Sequence, residues 1–206
     1  MVANAGYASH TDRKATRMGT KTGLYPELLG SDWAKLDDAV RRMHSAGEPV
    51  CAAGTFRVRH GEHWLARWLA VLVRLPAAGE AVPVELSIEP QMQREIWRRR
   101  FAGRPLVSSQ WQRRDGLLVE AEGLLELRFQ LEVSDGGLIY HFRGAAFRLG
   151  FCSVPLPRWL APSAKSWERP SDQPDCTQVS VELRLPWLGV LITYEGTVRP
   201  LEPAHQ

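Results

Sequence analysis

From residue 82 onward this chain alternates apolar and polar side chains almost without interruption. A period of two sends successive side chains to opposite faces of a strand, so each strand has one apolar face to bury. Leu125, Leu127, Phe129, Leu131 and Val133 point one way, and Glu126, Arg128, Gln130 and Glu132 the other. Val84, Leu86 and Ile88 oppose Glu85, Ser87 and Glu89 in the same manner. "QVSVELRL" repeats the pattern, while "WLGVLITYEGTV" is nearly continuous in apolar residues through Ile192, as a more buried strand would be. The stretch "SDGG" (134–137) is a hairpin turn leading into "LIYHFRGAAFRLGF". The turns "FAGRP", "RRDG" and "EGL" separate short strands so closely that little room remains for crossover helices. Such a chain folds as an antiparallel meander.

The helical signals lie before this region. Ser31 can cap a helix on which Trp33, Leu36, Val40 and Met43 share a face, with Gly47 and Pro49 ending it. "AGTFRVRHG" then alternates through Phe56 and Val58 as a strand. In "EHWLARWLAVLVRLP" the period changes again. His63, Arg67, Ala70 and Arg74 fall on one helical side and Leu65, Trp68, Leu69 and Leu72 on the other, with Pro76 as the stop. This helix is expected to dock on the sheet through its leucine and Trp68 side, rather than to lie on a membrane, and it is too short to cross one.

The expected fold is mainly β (α+β). It is a strongly curved antiparallel sheet, or partial barrel, of roughly eight or nine strands with two or three N-terminal helices packed on its concave side. Residues 1–22 lack periodicity and read as a disordered tail, 23–200 as a single domain, and 201–206 as a disordered C-terminus. The proline-rich stretch from Cys152 to Cys176 reads as one long irregular connection.

Charge and motifs narrow the function. The net charge of +3 is accounted for by Arg13, Lys14, Arg17 and Lys21 against Asp12, so the folded body is neutral and has no built-in pull on nucleic acid. Cys51, Cys152 and Cys176 are odd in number and widely spaced, as suits reduced thiols in a cytoplasmic protein. No apolar leader or bilayer-length run is present, and no P-loop, GxSxG, HExxH or EF-hand pattern. His60 and His63 straddle a strand end and a helix start, which is poor spacing for a metal, and neither metal nor cofactor is expected. His44, at the end of the first helix, suits the helix dipole.

"EIWRRRFAGRPLVSSQW" (95–111) raises the sharpest question about a site. Strand parity puts Trp97, Arg99 and Phe101 on one face and Ile96, Arg98 and Arg100 on the other, which is no continuous stripe for phosphates. If the aromatic residues face inward, Arg99 goes with them, and a buried guanidinium demands a partner. Glu120 in "LLVEAEG" is the first candidate, Glu126 the second, and a ligand anion the alternative. The candidate ligand-binding residues are therefore Arg99, Trp97, Phe101, Glu120, His141 and Tyr194, with no catalytic residue assigned.

These segments together resemble the bacterial domain of unknown function 4166. The resemblance rests on "LYPELLG", "LDDAVRRMH", "GTFRVRHG" with its helix, "IWRRRFAGRPLVSSQ", "LLVEAEGLLELRFQL", "LPRWLAP" and "LPWLGVLITYEG", and spans about Leu24 to Gly196. It carries no assigned reaction. It implies companionship with a saccharopine-dehydrogenase-like NAD(P)-binding domain, behind which such domains are also found fused, although this chain has no GxGxxG of its own. Three functions follow as expectations. The first is a non-catalytic module for a small apolar or amphipathic ligand, for instance an acyl chain with an anionic head. The second is an accessory partner of a dehydrogenase-like protein. The third is an enzyme of unrecognised type using Glu120, His141 or Tyr194.

Overall fold

A computed structural model of the protein describes residues 23–44, 47–150 and 152–201. The expected tail, and the C-terminus beyond residue 201, lie outside them. The strands are β1 (Val50–His60), β2 (Gly79–Gln91), β3 (Arg94–Phe101), β4 (Arg104–Gln112), β5 (Leu118–Glu122), β6 (Leu125–Ser134), β7 (Gly137–Leu149), β8 (Cys152–Pro155), β9 (Ser163–Pro170), β10 (Thr177–Leu185) and β11 (Gly189–Pro200). All pair antiparallel. Ten of them form a closed barrel, because β6 pairs with β7 and β1 with β11. The meander is thus complete, not partial, and closure leaves no open edge in the ring.

Two strands were illegible in the proline-rich stretch. β8 folds back along the end of β7, and β9 takes over β7's other half as a member of the wall. The inward positions of β9 are Ala164, Ser166 and Glu168, so the strand lacks the large apolar residues that announce its neighbours. At the seam, β1 and β11 cross so closely that a Cβ on Gly54 would stand 2.0 Å from the Thr197 carbonyl oxygen, and one on Gly196 2.1 Å from that of Thr55. Glycine is required at both positions by the approach of the neighbouring backbone.

The N-terminal helices stop up one end. The single helix expected from Ser31 is instead α1 (Leu24–Leu29), a 3-10 turn (Gly30–Lys35) and α2 (Asp38–Met43). Gly30 breaks the run at φ 53°, and Asp37 caps α2 by accepting from the Ala39 N–H at 2.8 Å. The expected apolar residues still face the core, with Leu36, Val40 and Met43 buried beside Tyr25 and Leu24. The Asp37 N–H also donates to the Gly136 carbonyl at 2.9 Å, which fastens the plug to the β6–β7 turn.

α3 (Trp64–Leu72) lies at the opposite end, and its orientation corrects the sequence reading. The buried positions are Ala66 and Ala70, which sit on Leu191 with Leu69 partly covered. Trp68 and Leu72 are 57% and 59% exposed. Only small side chains let the helix axis come close to β11, where Gly61 donates to the Leu191 carbonyl. That requirement outweighs the drive to bury the larger apolar face.

Candidate functional site

Between the helical plug and α3 the barrel holds a cavity of about 580 Å³, open at the α3 end. Its wall comes from the inward parity of the strands, including Phe56, Leu86, Leu106, Leu127, Phe129, Val181 and Ile192. Phe56, Leu86, Leu127, Phe129 and Val181 were legible as apolar alternation.

The polar exception lies on β3, β4 and β5. Arg99 faces inward between Trp97 and Phe101, as strand parity requires, and its side chain is only 14% exposed. It donates to Glu120 Oε1 at 3.1 Å and to Ser108 Oγ at 3.0 Å, and Ser108 donates in turn to the same Glu120 oxygen at 2.7 Å. The guanidinium also stands 4.9 Å from the centre of the Trp97 ring. Burial works against its charge, but Glu120, then Tyr194 and Glu122, outweigh that and raise its pKa. Its remaining N–H groups have no hydrogen bond to a described residue.

Glu122 follows Glu120 by two residues and therefore shares its face. It lines the cavity at the open end, where its side chain is exposed; desolvation by the mouth and then the charge of Glu120 push its carboxyl up to about 7, against the pull of Arg99, and solvent at the mouth screens both. Tyr194 lines the cavity too, with its ring 5.4 Å from Phe101 and 5.9 Å from Phe56. Burial raises its phenol above the ordinary value.

A second polar network forms the floor. Tyr25 donates to Gln110 Oε1 at 2.7 Å and lies 3.2 Å from the Tyr140 hydroxyl; Tyr140 donates to Glu168 Oε1 at 2.8 Å. His44 Nε2 meets Glu168 Oε2 at 2.7 Å, and its ring lies against that of Tyr25, tilted by 33° with the centroids 3.8 Å apart. His44 is thus a buried partner of β9, beyond the helix-end role expected from the sequence. Burial alone would raise the Glu168 pKa, but His44 and then the Tyr140 hydroxyl hold it below the ordinary carboxylate value. Glu95, close by, accepts from Trp97 Nε1 at 3.1 Å; burial raises its pKa, opposed by His44.

Of the residues singled out in the sequence, Trp97, Arg99, Phe101, Glu120 and Tyr194 converge on the cavity. His141 does not. It points outward and bonds Glu132 on the neighbouring strand at 2.6 Å, because β7 parity gives the inward places to Leu138, Tyr140 and Phe142. Glu126, the second candidate partner for Arg99, is likewise outside the barrel, accepting from Ser153 on β8 at 2.6 Å. Sequence reasoning missed Ser108, Gln110 and Glu122. Parity alone could have found them, since each stands two or four positions from an inward residue on its own strand. Tyr25 and Glu168 carried no such signal.

Among the described residues no group of three or more histidine, cysteine or acidic side chains could hold a metal ion, and no helix is long and apolar enough to cross a membrane. No curated protein and no solved structure matches the chain. The model of the family described as Domain of unknown function (DUF4166) matches residues 36–198, from the last turn before α2 to the final cavity-lining residue of β11. A match over the whole barrel makes the chain a member of that family.

Proposed function

We propose that this barrel is a non-catalytic binding module for a small amphipathic ligand, with an apolar body along the wall and a polar head at Arg99, Ser108 and Glu120. The observation that carries this is the cavity itself. At about 580 Å³ it falls within the range of small-molecule pockets, roughly 300–1,000 Å³, and its wall is largely apolar, with polar groups gathered at the Arg99 cluster and at the floor. A wall of this kind gains by covering apolar ligand surface, and the polar cluster fixes which end of the ligand goes in first.

The charge balance refines the head group. Glu120 already neutralises Arg99, and Glu122 adds a negative charge once it ionises. A strongly anionic head would meet that carboxylate, whereas a hydroxyl, an amide or a single carboxyl can use the unfilled Arg99 donors. The Tyr194 hydroxyl, which has no hydrogen bond to a described residue, is a further partner on β11, three strands along the wall.

The test is uptake of cis-parinaric acid, whose fluorescence rises in an apolar site, by the wild type and by Val181→Trp. Val181 lines the cavity and is only partly buried, so a larger side chain there occupies ligand space without displacing packed core. Saturable uptake by the wild type, lost in a Val181→Trp protein of unchanged melting temperature, supports the reading. Absence of saturable uptake by the folded wild type, together with no small molecule retained in native mass spectrometry, overturns it.

A further inference from the structure

The rim of the open end is apolar on its outside as well. Trp68 and Leu72 project from α3, Leu124 from the β5–β6 turn, Trp159 and Leu160 from the β8–β9 connection, and Trp187 from the β10–β11 turn; Trp159 is 64% exposed and Trp187 88%. These segments are distant in sequence, and the barrel brings their tips to one end. Trp187 Nε1 donates to the Trp159 carbonyl at 3.1 Å, which ties two of them together. The plugged end is different. Among its described residues the exposed large apolar side chains are Met92 and Leu201.

Cations are interleaved with this apolar rim. Arg67 on α3, Arg74 just beyond its C-terminal end and Arg158 beside Trp159 are exposed and form no ion pair with a described residue. The acidic groups nearby are Glu62 before α3 and Glu122 inside the mouth, while Glu80 is engaged by Arg57 and Arg59. Exposed tryptophan, aliphatic tips and unpaired arginine on one face are the chemistry of the water–lipid interface, where the indole sits at headgroup depth and the guanidinium meets phosphate.

The geometry points to the rim as a docking surface for a bilayer that contains anionic lipid, with the cavity loading its ligand directly from that bilayer. The loading step rests on the binding function proposed above; the docking step does not. A second copy of the chain is a poorer occupant, because two-fold pairing of this face would set the same unpaired arginines against each other. A docked mouth would also let an acyl chain pass from bilayer to barrel without crossing water, which a rim of polar side chains would not allow.

The experiment is co-sedimentation of the full chain with vesicles of phosphatidylglycerol and phosphatidylcholine in equal parts, and with phosphatidylcholine alone, alongside cis-parinaric acid uptake in solution. The wild type should partition to the anionic vesicles at least about tenfold more strongly, with the preference falling at high salt. Trp159→Asp/Trp187→Asp should abolish partition to both vesicles. Arg67→Glu/Arg74→Glu/Arg158→Glu should abolish the preference for anionic lipid. Both variants should keep the melting temperature and solution uptake of the wild type.

Absence of vesicle binding by a wild type that still takes up the probe overturns the docking proposal and leaves the cavity reading standing. Vesicle binding without uptake sinks the cavity reading and the loading step, and leaves docking in place. A dimer in sedimentation velocity that Trp159→Asp/Trp187→Asp converts to monomer, with no vesicle binding, assigns the rim to a second copy and overturns the proposal.

Discussion

Arg99 and Glu120 meet inside the barrel at 3.1 Å with Ser108 bonded to both, so a guanidinium facing the cavity is neutralised by a neighbour two strands away. Arg99→Met keeps length and apolarity but leaves Glu120 without its partner. Because the pair borders open cavity, the expected loss is at the low end for a broken interior pair, about 2–3 kcal/mol. Adding Glu120→Gln should restore roughly half of that or more. Urea denaturation of both single variants and the double variant gives the coupling energy. A coupling near zero would mean that solvent in the cavity, not Glu120, carries the charge of Arg99.

Glu168 supplies a pH dependence whose sign is fixed. Its folded-state pKa lies below the ordinary value of 4.5, so the unfolded chain binds the proton more readily. Its contribution to stability is therefore complete above the unfolded value and is lost as pH falls below it through the folded value. Urea midpoints between neutral pH and about pH 3 should fall more steeply for the wild type than for Glu168→Gln. Parallel curves would show that the Tyr140–Glu168–His44 network does not titrate with unfolding.

Glu122 should impose a different pH response on binding. With its carboxyl pushed up to about 7, a carboxylate probe meets a neutral side chain below that pH and a charged one above it. Uptake of cis-parinaric acid should weaken as pH rises through this region, and Glu122→Gln should flatten the profile. A step that survives Glu122→Gln belongs to another group.

α3 separates two kinds of apolar residue. Leu72→Asp alters a side chain that faces solvent, and stability should change by no more than about 0.5 kcal/mol. Ala70→Leu forces bulk between the helix and Leu191 and should cost about 1–3 kcal/mol. Thermal melts of the two variants distinguish this orientation from one in which the leucine face is buried.

Why some of this was readable in the sequence and some was not follows from side-chain size. Alternation on β2, β3, β6 and β10 identified the wall, and parity alone carried Arg99 inward to Glu120. It failed on β9, where Ala164 and Ser166 are too small to mark an inner face, and at α3, where Ala66 and Ala70 do the docking that Trp68 and Leu72 advertised. Ring closure was beyond the pattern as well, since alternation records faces and not neighbours. The floor network assembles Tyr25, His44, Gln110, Tyr140 and Glu168 from five separate elements. No local spacing announces a contact of that kind.

The seam between β1 and β11 allows a further check on the ring. Gly196→Ala would bring a Cβ against the Thr55 carbonyl oxygen, and the strands must part to admit it. A loss of at least about 3 kcal/mol is expected, large for one methyl group. Chemical denaturation, with probe uptake as a second readout, measures it.

The same seam sets the order of events as the chain comes off the ribosome. Residue 52 pairs with residue 200, so β1 is made early and its partner β11 is the last strand of the ring to emerge. Until then β1 and β10 each present an unpaired edge, and the half-built wall has nothing to hold it curved. Closure is a late, long-range step, and such steps are slow. During that wait, adhesion between two unfinished chains competes with completion of one, and the yield of soluble protein should be decided by how quickly β11 reaches its place.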